Sequence, residues 1–219
     1  MRPPKKYSKP EPKPVGRLVR QKDSLSLQRL GKNQFMFVAP RAAEERVDDI
    51  DEVQQMIAGE EFDIARDELL YLVADCSGFI EAHNLLAELA LEENDLKLAR
   101  GHFGFGFEQG LEVLTERFNG ELPAHEGYNA HFFAAGRGLA RCLIALGDRR
   151  TGQDVLERLS RWDPRERDTR DLLAELAEKE KRSSSLLPIL DATVEIDDEE
   201  DEDDVDAEVP ERGRLTPDQ

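Results

Sequence analysis

Apolar and small side chains recur along the middle of this chain with a period of 34 residues. Residues 46–79, 80–113 and 133–166 can be aligned in register, with 167–182 as a partial fourth row. The twentieth column holds small residues and the twenty-fourth holds large apolar ones: Ala65, Ala99 and Gly152, then Leu69, Phe103 and Leu156. Small residues let two helices approach closely, and large ones fill the space between them. The period therefore predicts stacked helix-turn-helix units.

Turn residues divide these units into seven predicted helices. Gly59, Asn94 and Gly147 stand where glycine or asparagine commonly ends a helix, and Pro164 follows the sixth helix. The predicted helices cover residues 43–58, 62–74, 80–92, 96–114, 128–146, 151–161 and 167–182. The last has a polar outer face, so we expect it to cap the stack. The pattern predicts an all-α fold of about three helix pairs and a capping helix, interrupted by an insertion at 114–132 whose role it does not reveal.

Charge divides the chain into three parts. Residues 1–46 carry a net charge of +8, residues 47–190 carry −14 and residues 191–219 carry −12. We therefore expect a basic arm at 1–42, a helical repeat domain at 43–182 and an acidic tail at 183–219. Residues 1–34 contain too few large apolar groups to offset chain entropy, which predicts disorder. The tail carries eight consecutive acids at 197–204, whose mutual repulsion keeps the chain extended and predicts disorder.

Two short apolar clusters lie at the edges of the repeat domain. Phe35–Val38 precedes the first helix, and Leu186–Leu190 follows the last one. We expect the first cluster to dock on repeat 46–79 or to remain an exposed apolar patch that binds other molecules. Either cluster offers a surface for self-association.

Composition argues against several classes of function. The longest apolar segment contains Arg137 and Arg141, which a bilayer would disfavour, and no apolar leader follows Met1. The two cysteines are too few for a disulfide framework, and the four histidines lack zinc-site spacing. The glycine-rich segment 101–110 has no strand before it, as a phosphate-binding loop requires. We expect a cytoplasmic protein without enzyme activity, metal, cofactor or membrane contact.

The aligned columns resemble the tetratricopeptide repeat family over residues 46–182. Residues 133–166 match its pattern best, residues 80–113 lack the closing proline, and Glu52 occupies a normally apolar column of the first repeat. The wider stretch is also similar to uncharacterised bacterial proteins of this repeat class. The positions that carry the resemblance are Leu86, Ala87, Ala90, Ala99, Phe103, Leu139, Ala140, Leu143, Gly147, Leu156 and Pro164.

This resemblance implies a right-handed superhelix with a concave groove lined by the first helix of each pair. Family ligands usually contact the second, fifth, ninth and twelfth columns, which here include Asn84, Glu88, Arg137 and Arg141. Arg137 and Arg141 lie one helical turn apart, so they fit a carboxylate or an acidic peptide. The alternative is that they pair with Glu88 or with other acids of a neighbouring helix.

The sequence thus favours a non-catalytic scaffold or adaptor that binds a peptide or protein segment in its groove. The alternative function is association with nucleic acid or the ribosome through weak phosphate contacts of the basic arm, modulated by the acidic tail. The sequence identifies neither the partner nor the oligomeric state.

Overall fold

The computed structural model describes residues 24–115 and 117–191, and side chains as far as residue 182. Over these residues it contains two strands, β1 (Ser26–Arg29) and β2 (Phe35–Val38), and eight helices. The helices are α1 (Arg41–Glu44), α2 (Val47–Ala58), α3 (Phe62–Asp75), α4 (Ile80–Glu92), α5 (Leu96–Val113), α6 (Asn129–Ala145), α7 (Arg149–Trp162) and α8 (Arg167–Asp191). The predicted all-α class is confirmed. No helix in this part of the chain is long and apolar enough to cross a membrane.

Most predicted helices begin and end within two residues of the observed ones. The first predicted helix is interrupted, and its two parts are α1 and α2. The last predicted helix was expected to end at residue 182 but continues to Asp191. The serines at 183–185 lower helix propensity only modestly, and α8 continues through Pro188. Residues up to Glu178 and from Lys179 onward form separate units.

The 34-residue period is also present in the backbone. Each helix pair is joined by a three-residue turn whose middle residue has a left-handed φ: 62° at Glu60, 61° at Asn94 and 92° at Gly147. These residues occupy the same column of the aligned repeats. The next amide donates to the same column in every unit: Glu61 to Met56, Asp95 to Ala90 and Asp148 to Leu143. A positive φ is uncommon outside glycine, so its recurrence at Glu60 and Asn94, as well as at Gly147, shows that the three helix pairs share one turn geometry.

Packing in the core follows the alternation of small and large columns. Ala65 and Ala99 are fully buried, and so are the large side chains of Leu69 and Leu156. Helices α5 and α6 approach closely because glycines face aromatic rings: a β-carbon at Gly138 would lie 2.5 Å from the ring of Phe103. The glycines therefore determine the spacing between these two helices.

The N-terminal segment departs from the expected disorder. β1 and β2 pair as an antiparallel hairpin, with Leu27 opposite Phe37. The prediction of disorder is wrong for residues 24–34, which belong to this hairpin. The hairpin packs on an apolar surface formed by later parts of the chain, and composition alone does not reveal that surface. Phe37 is 1% exposed and packs on Phe132 of α6, with 4.8 Å between ring centroids. Residues 1–23 and the acidic tail beyond residue 191 lie outside the described residues.

The insertion completes the surface on which the hairpin sits. The amide of Phe35 donates to the carbonyl of Glu121 at 2.9 Å, and the ring of Phe35 meets Phe118 at 5.3 Å. The expected docking of Phe35–Val38 on repeat 46–79 is wrong, because its aromatic rings contact the insertion and α6. The partner surface is supplied by residues about 90 positions later in the chain.

Asn129, at the start of α6, holds the hairpin and the insertion together. Its side chain is fully buried and makes three hydrogen bonds. It accepts from the amide of Phe37 at 2.8 Å and donates to the carbonyls of Phe35 at 3.1 Å and Pro123 at 3.0 Å. A buried amide whose bonds are satisfied in this way fixes the relative positions of the groups that it joins.

Candidate binding groove

Three cavities follow one another along the first helices of the pairs. The first, of about 350 Å³, lies between α2 and α4, where Ile57 and Leu89 line it. The second, of about 340 Å³, lies between α4 and α6, where Leu91 and Ala134 line it. The third, of about 610 Å³, lies beside α6, the insertion and the start of α8. Each is large enough to take one or two side chains of a bound segment.

Two charged residues connect these cavities. Glu88 lines both the first and the second cavity. Arg137 lines both the second and the third. Neighbouring cavities therefore adjoin, and we refer to the three together as the groove.

Glu88 lies on α4 and faces two of these cavities. Its side chain is more than a third exposed, and no ion-pair partner lies among the described residues. Partial burial nevertheless raises the pKa of the Glu88 carboxyl, because water around the carboxylate is replaced by neighbouring side chains. The carboxylate is consequently a site where a cationic group of a ligand would be stabilised.

Arg137 also lines the groove, but its charge already has partners. Its guanidinium donates to the carboxylate of Glu166 at 3.0 Å and lies 3.7 Å from that of Asp168. The Arg137 side chain is 19% exposed, and the Glu166 carboxylate also accepts from the amide of Thr169 at 2.7 Å. Of the two interpretations offered by the sequence, pairing with acids of a neighbouring element is the one observed. These acids lie at the start of α8 rather than at Glu88.

Arg141 differs from Arg137 in this respect. It lines the second cavity, it is exposed, and it has no ion-pair partner among the residues that the structure describes. Its guanidinium is therefore available to a carboxylate from outside the chain.

Asn84 lies outside the three cavities. It is 5% exposed, and its side-chain amide donates to the backbone carbonyl of His131 at 2.9 Å. The contact ties α4 to the start of α6. The structure thus brings Glu88, Arg137 and Arg141 to one surface and places Asn84 in the packing beneath it.

Glu166 is the groove residue that the sequence analysis missed. It sits just before α8, and its carboxylate caps the first amides of that helix. Glutamate is not among the residues preferred at a helix N-cap, so the only signal in the sequence is the general enrichment of acids near helix starts. The ion pair with Arg137 depends on how α6 and α8 pack.

Two histidines meet beside the groove helices. The Nδ1 atoms of His83 on α4 and His102 on α5 are 3.3 Å apart. Burial, together with the neighbouring His102, lowers the pKa of His83 to about 4. Within residues 24–115 and 117–191, no three histidine, cysteine, aspartate or glutamate side chains converge as a metal site would require.

Compared with protein-family models and with curated proteins, the chain matches none.

Proposed function

We propose that this chain is a non-catalytic binding module of the tetratricopeptide-repeat type, which holds an extended protein segment along the groove. The observation that carries the proposal is the succession of three cavities connected through Glu88 and Arg137. An extended peptide spans about 3.3 Å per residue, so a short segment suffices to pass from one cavity to the next.

The family pattern supports the same surface. Of the eight side chains that it assigns to ligand contact in the second and third units, five line the second cavity: Glu88, Leu91, Ala134, Arg137 and Arg141. The columns of this pattern are defined by sequence spacing alone. Agreement between column position and cavity lining therefore favours a ligand groove over a surface depression without function.

The charges of the groove indicate the chemistry of the segment. Glu88 and Glu92 border the apolar first cavity, while Arg141, which has no ion-pair partner in the described part of the chain, lines the second. A segment with a basic residue next to apolar ones, followed by an acidic residue, would complement both ends. Because Arg137 is held by Glu166, Arg141 supplies the cation that selects the acidic residue.

The test is selection of peptides from a random display library on the full-length chain, with affinities then measured by fluorescence anisotropy. We expect Arg141→Glu to weaken selected peptides about tenfold, because it replaces a charge-assisted hydrogen bond by repulsion. Arg150→Glu is the matched control, since Arg150 is an exposed arginine of α7 that lines none of the cavities. Equal binding by both variants would contradict the proposal.

A deletion variant separates this function from the alternative one. The basic arm through residue 23 lies outside the described residues, so binding of nucleic acid or the ribosome rests on sequence alone. Removing residues 1–23 should leave peptide binding unchanged if the groove acts by itself. Loss of peptide binding in that variant would instead assign the capture to the arm.

A further inference from the structure

A fourth cavity lies apart from the first helices, at the junction of α5, the insertion and α7. Its volume is about 680 Å³, which is in the range of small-molecule sites. The residues that decide its chemistry are Leu111, Leu114, Phe118, Arg158, Arg161 and Trp162. We refer to it as the arginine pocket; it shares only Trp162 with the groove.

The charge of this pocket is opposite to that of the domain around it. Residues 47–190 carry a net charge of −14, yet no aspartate or glutamate is among the described residues that line the pocket. Arg158 and Arg161 are three positions apart, so they lie on the same face of α7. Neither has an ion-pair partner among the described residues, and both are exposed. Two unpaired guanidinium groups at one opening favour an anion.

The pocket wall is apolar and aromatic, and its rings are held in place. Trp162 packs against Phe132 with ring centroids 5.6 Å apart. Phe118 meets the ring of Phe35 edge to face at 5.3 Å. Both rings are half-buried, so they present a fixed surface without being closed off. A flat apolar group would lose little freedom of the protein on packing there.

We propose that the arginine pocket binds a small aromatic anion, with the arginines holding a phosphate or carboxylate group and the ring lying against Phe118 and Trp162. A guanidinium group can bind a phosphate or a carboxylate through two parallel hydrogen bonds. The ligand is therefore defined by carrying both an anionic group and an aromatic ring. This site shares only Trp162 with the groove, and absence of anion binding would leave the proposed function unaffected.

The experiment uses the fluorescence of Trp162, which is the only tryptophan of the chain. The full-length protein is titrated with phenyl phosphate, and separately with inorganic phosphate and with phenol. We expect saturable binding of phenyl phosphate and at least tenfold weaker binding of either half alone, because each supplies one of the two contacts. Further titrations with phenylacetate and adenosine monophosphate distinguish an aromatic carboxylate from a nucleotide as the preferred source of the anion.

Variants assign the signal to this pocket rather than to the groove, which Trp162 also lines. The double variant Arg158→Gln with Arg161→Gln should weaken phenyl phosphate at least tenfold, and Asn119→Asp should weaken it by adding a negative charge to the lining. Arg150→Gln, on the same helix, should have no effect. Thermal unfolding verifies that each variant is folded. Undiminished binding in the double variant would overturn the proposal, as would the absence of saturation at about 10 mM ligand.

Discussion

Replacing Gly138 with alanine tests whether glycine contacts set the distance between α5 and α6. An added β-carbon would lie 2.5 Å from two ring atoms of Phe103 and 2.6 Å from a third. Real β-carbons do not approach other atoms so closely. Phe103 is 4% exposed and clusters with Ala87, Ala99 and Cys142, so its ring has little room to move on that side. Phe103 also lines the second cavity, so relief of the clash would have to displace its ring into that cavity.

The expected magnitude is a balance of two terms. Alanine in a helix interior raises the free energy of unfolding by about 0.5–1 kcal/mol relative to glycine. Overpacking a filled core costs about 1–3 kcal/mol. We therefore expect Gly138→Ala to lower the free energy of unfolding by about 1–2 kcal/mol, which would shift the melting temperature by about 2–8 °C in a domain of this size.

Gly101 provides the matched control. It lies within α5, is exposed, and has no atom within 4 Å of an added β-carbon. Gly101→Ala should therefore raise the free energy of unfolding by about 0.5–1 kcal/mol. Urea unfolding followed by circular dichroism measures both variants. If Gly138→Ala stabilises the chain as much as Gly101→Ala does, the close packing argument is refuted.

Two further predictions concern buried polar groups. Asn129→Ala should lower the free energy of unfolding by about 2–4 kcal/mol, because it removes three hydrogen bonds and leaves their partners buried. Hydrogen exchange should show faster exchange of the Phe37 amide, and an unchanged rate would contradict the assigned contact. Stability should also fall as the pH drops from about 6.5 to about 4. In this range His83 is protonated in the unfolded chain but stays neutral in the folded one, where burial lowers its pKa to about 4. The loss approaches about 3 kcal/mol. In urea titrations across that pH range, His83→Gln should show a smaller pH dependence but keep the contribution of His102, whose pKa burial also lowers. An equal pH dependence in the variant would exclude His83 as the cause.

The helix pairs could be predicted because their information is local and repeated. The small and large columns recur, and the turn residues Gly59, Asn94 and Gly147 mark each boundary. Local patterns of this kind decide where helices begin and end. Glu88 and Arg141, two positions that the resemblance assigns to ligand contact, both line the second cavity.

The hairpin could not be predicted because its stability comes from distant parts of the chain. Phe37 is buried only because Phe132 and Asn129 lie opposite it. The pattern of apolar residues within 1–34 carries no information about that distant surface. The same limit applies to Arg137, since column position predicts that it faces the groove but not that Glu166 holds its charge.

The contact between Phe37 and Asn129 has a consequence for synthesis of the chain. The two residues are 92 positions apart, so β2 emerges from the ribosome well before the helix that covers it. At roughly 5–20 residues per second, that interval lasts about 5–20 s. During this time the first helix pairs of the nascent chain can form. The apolar side chains of β2 remain exposed, so they can bind chaperones or other nascent chains.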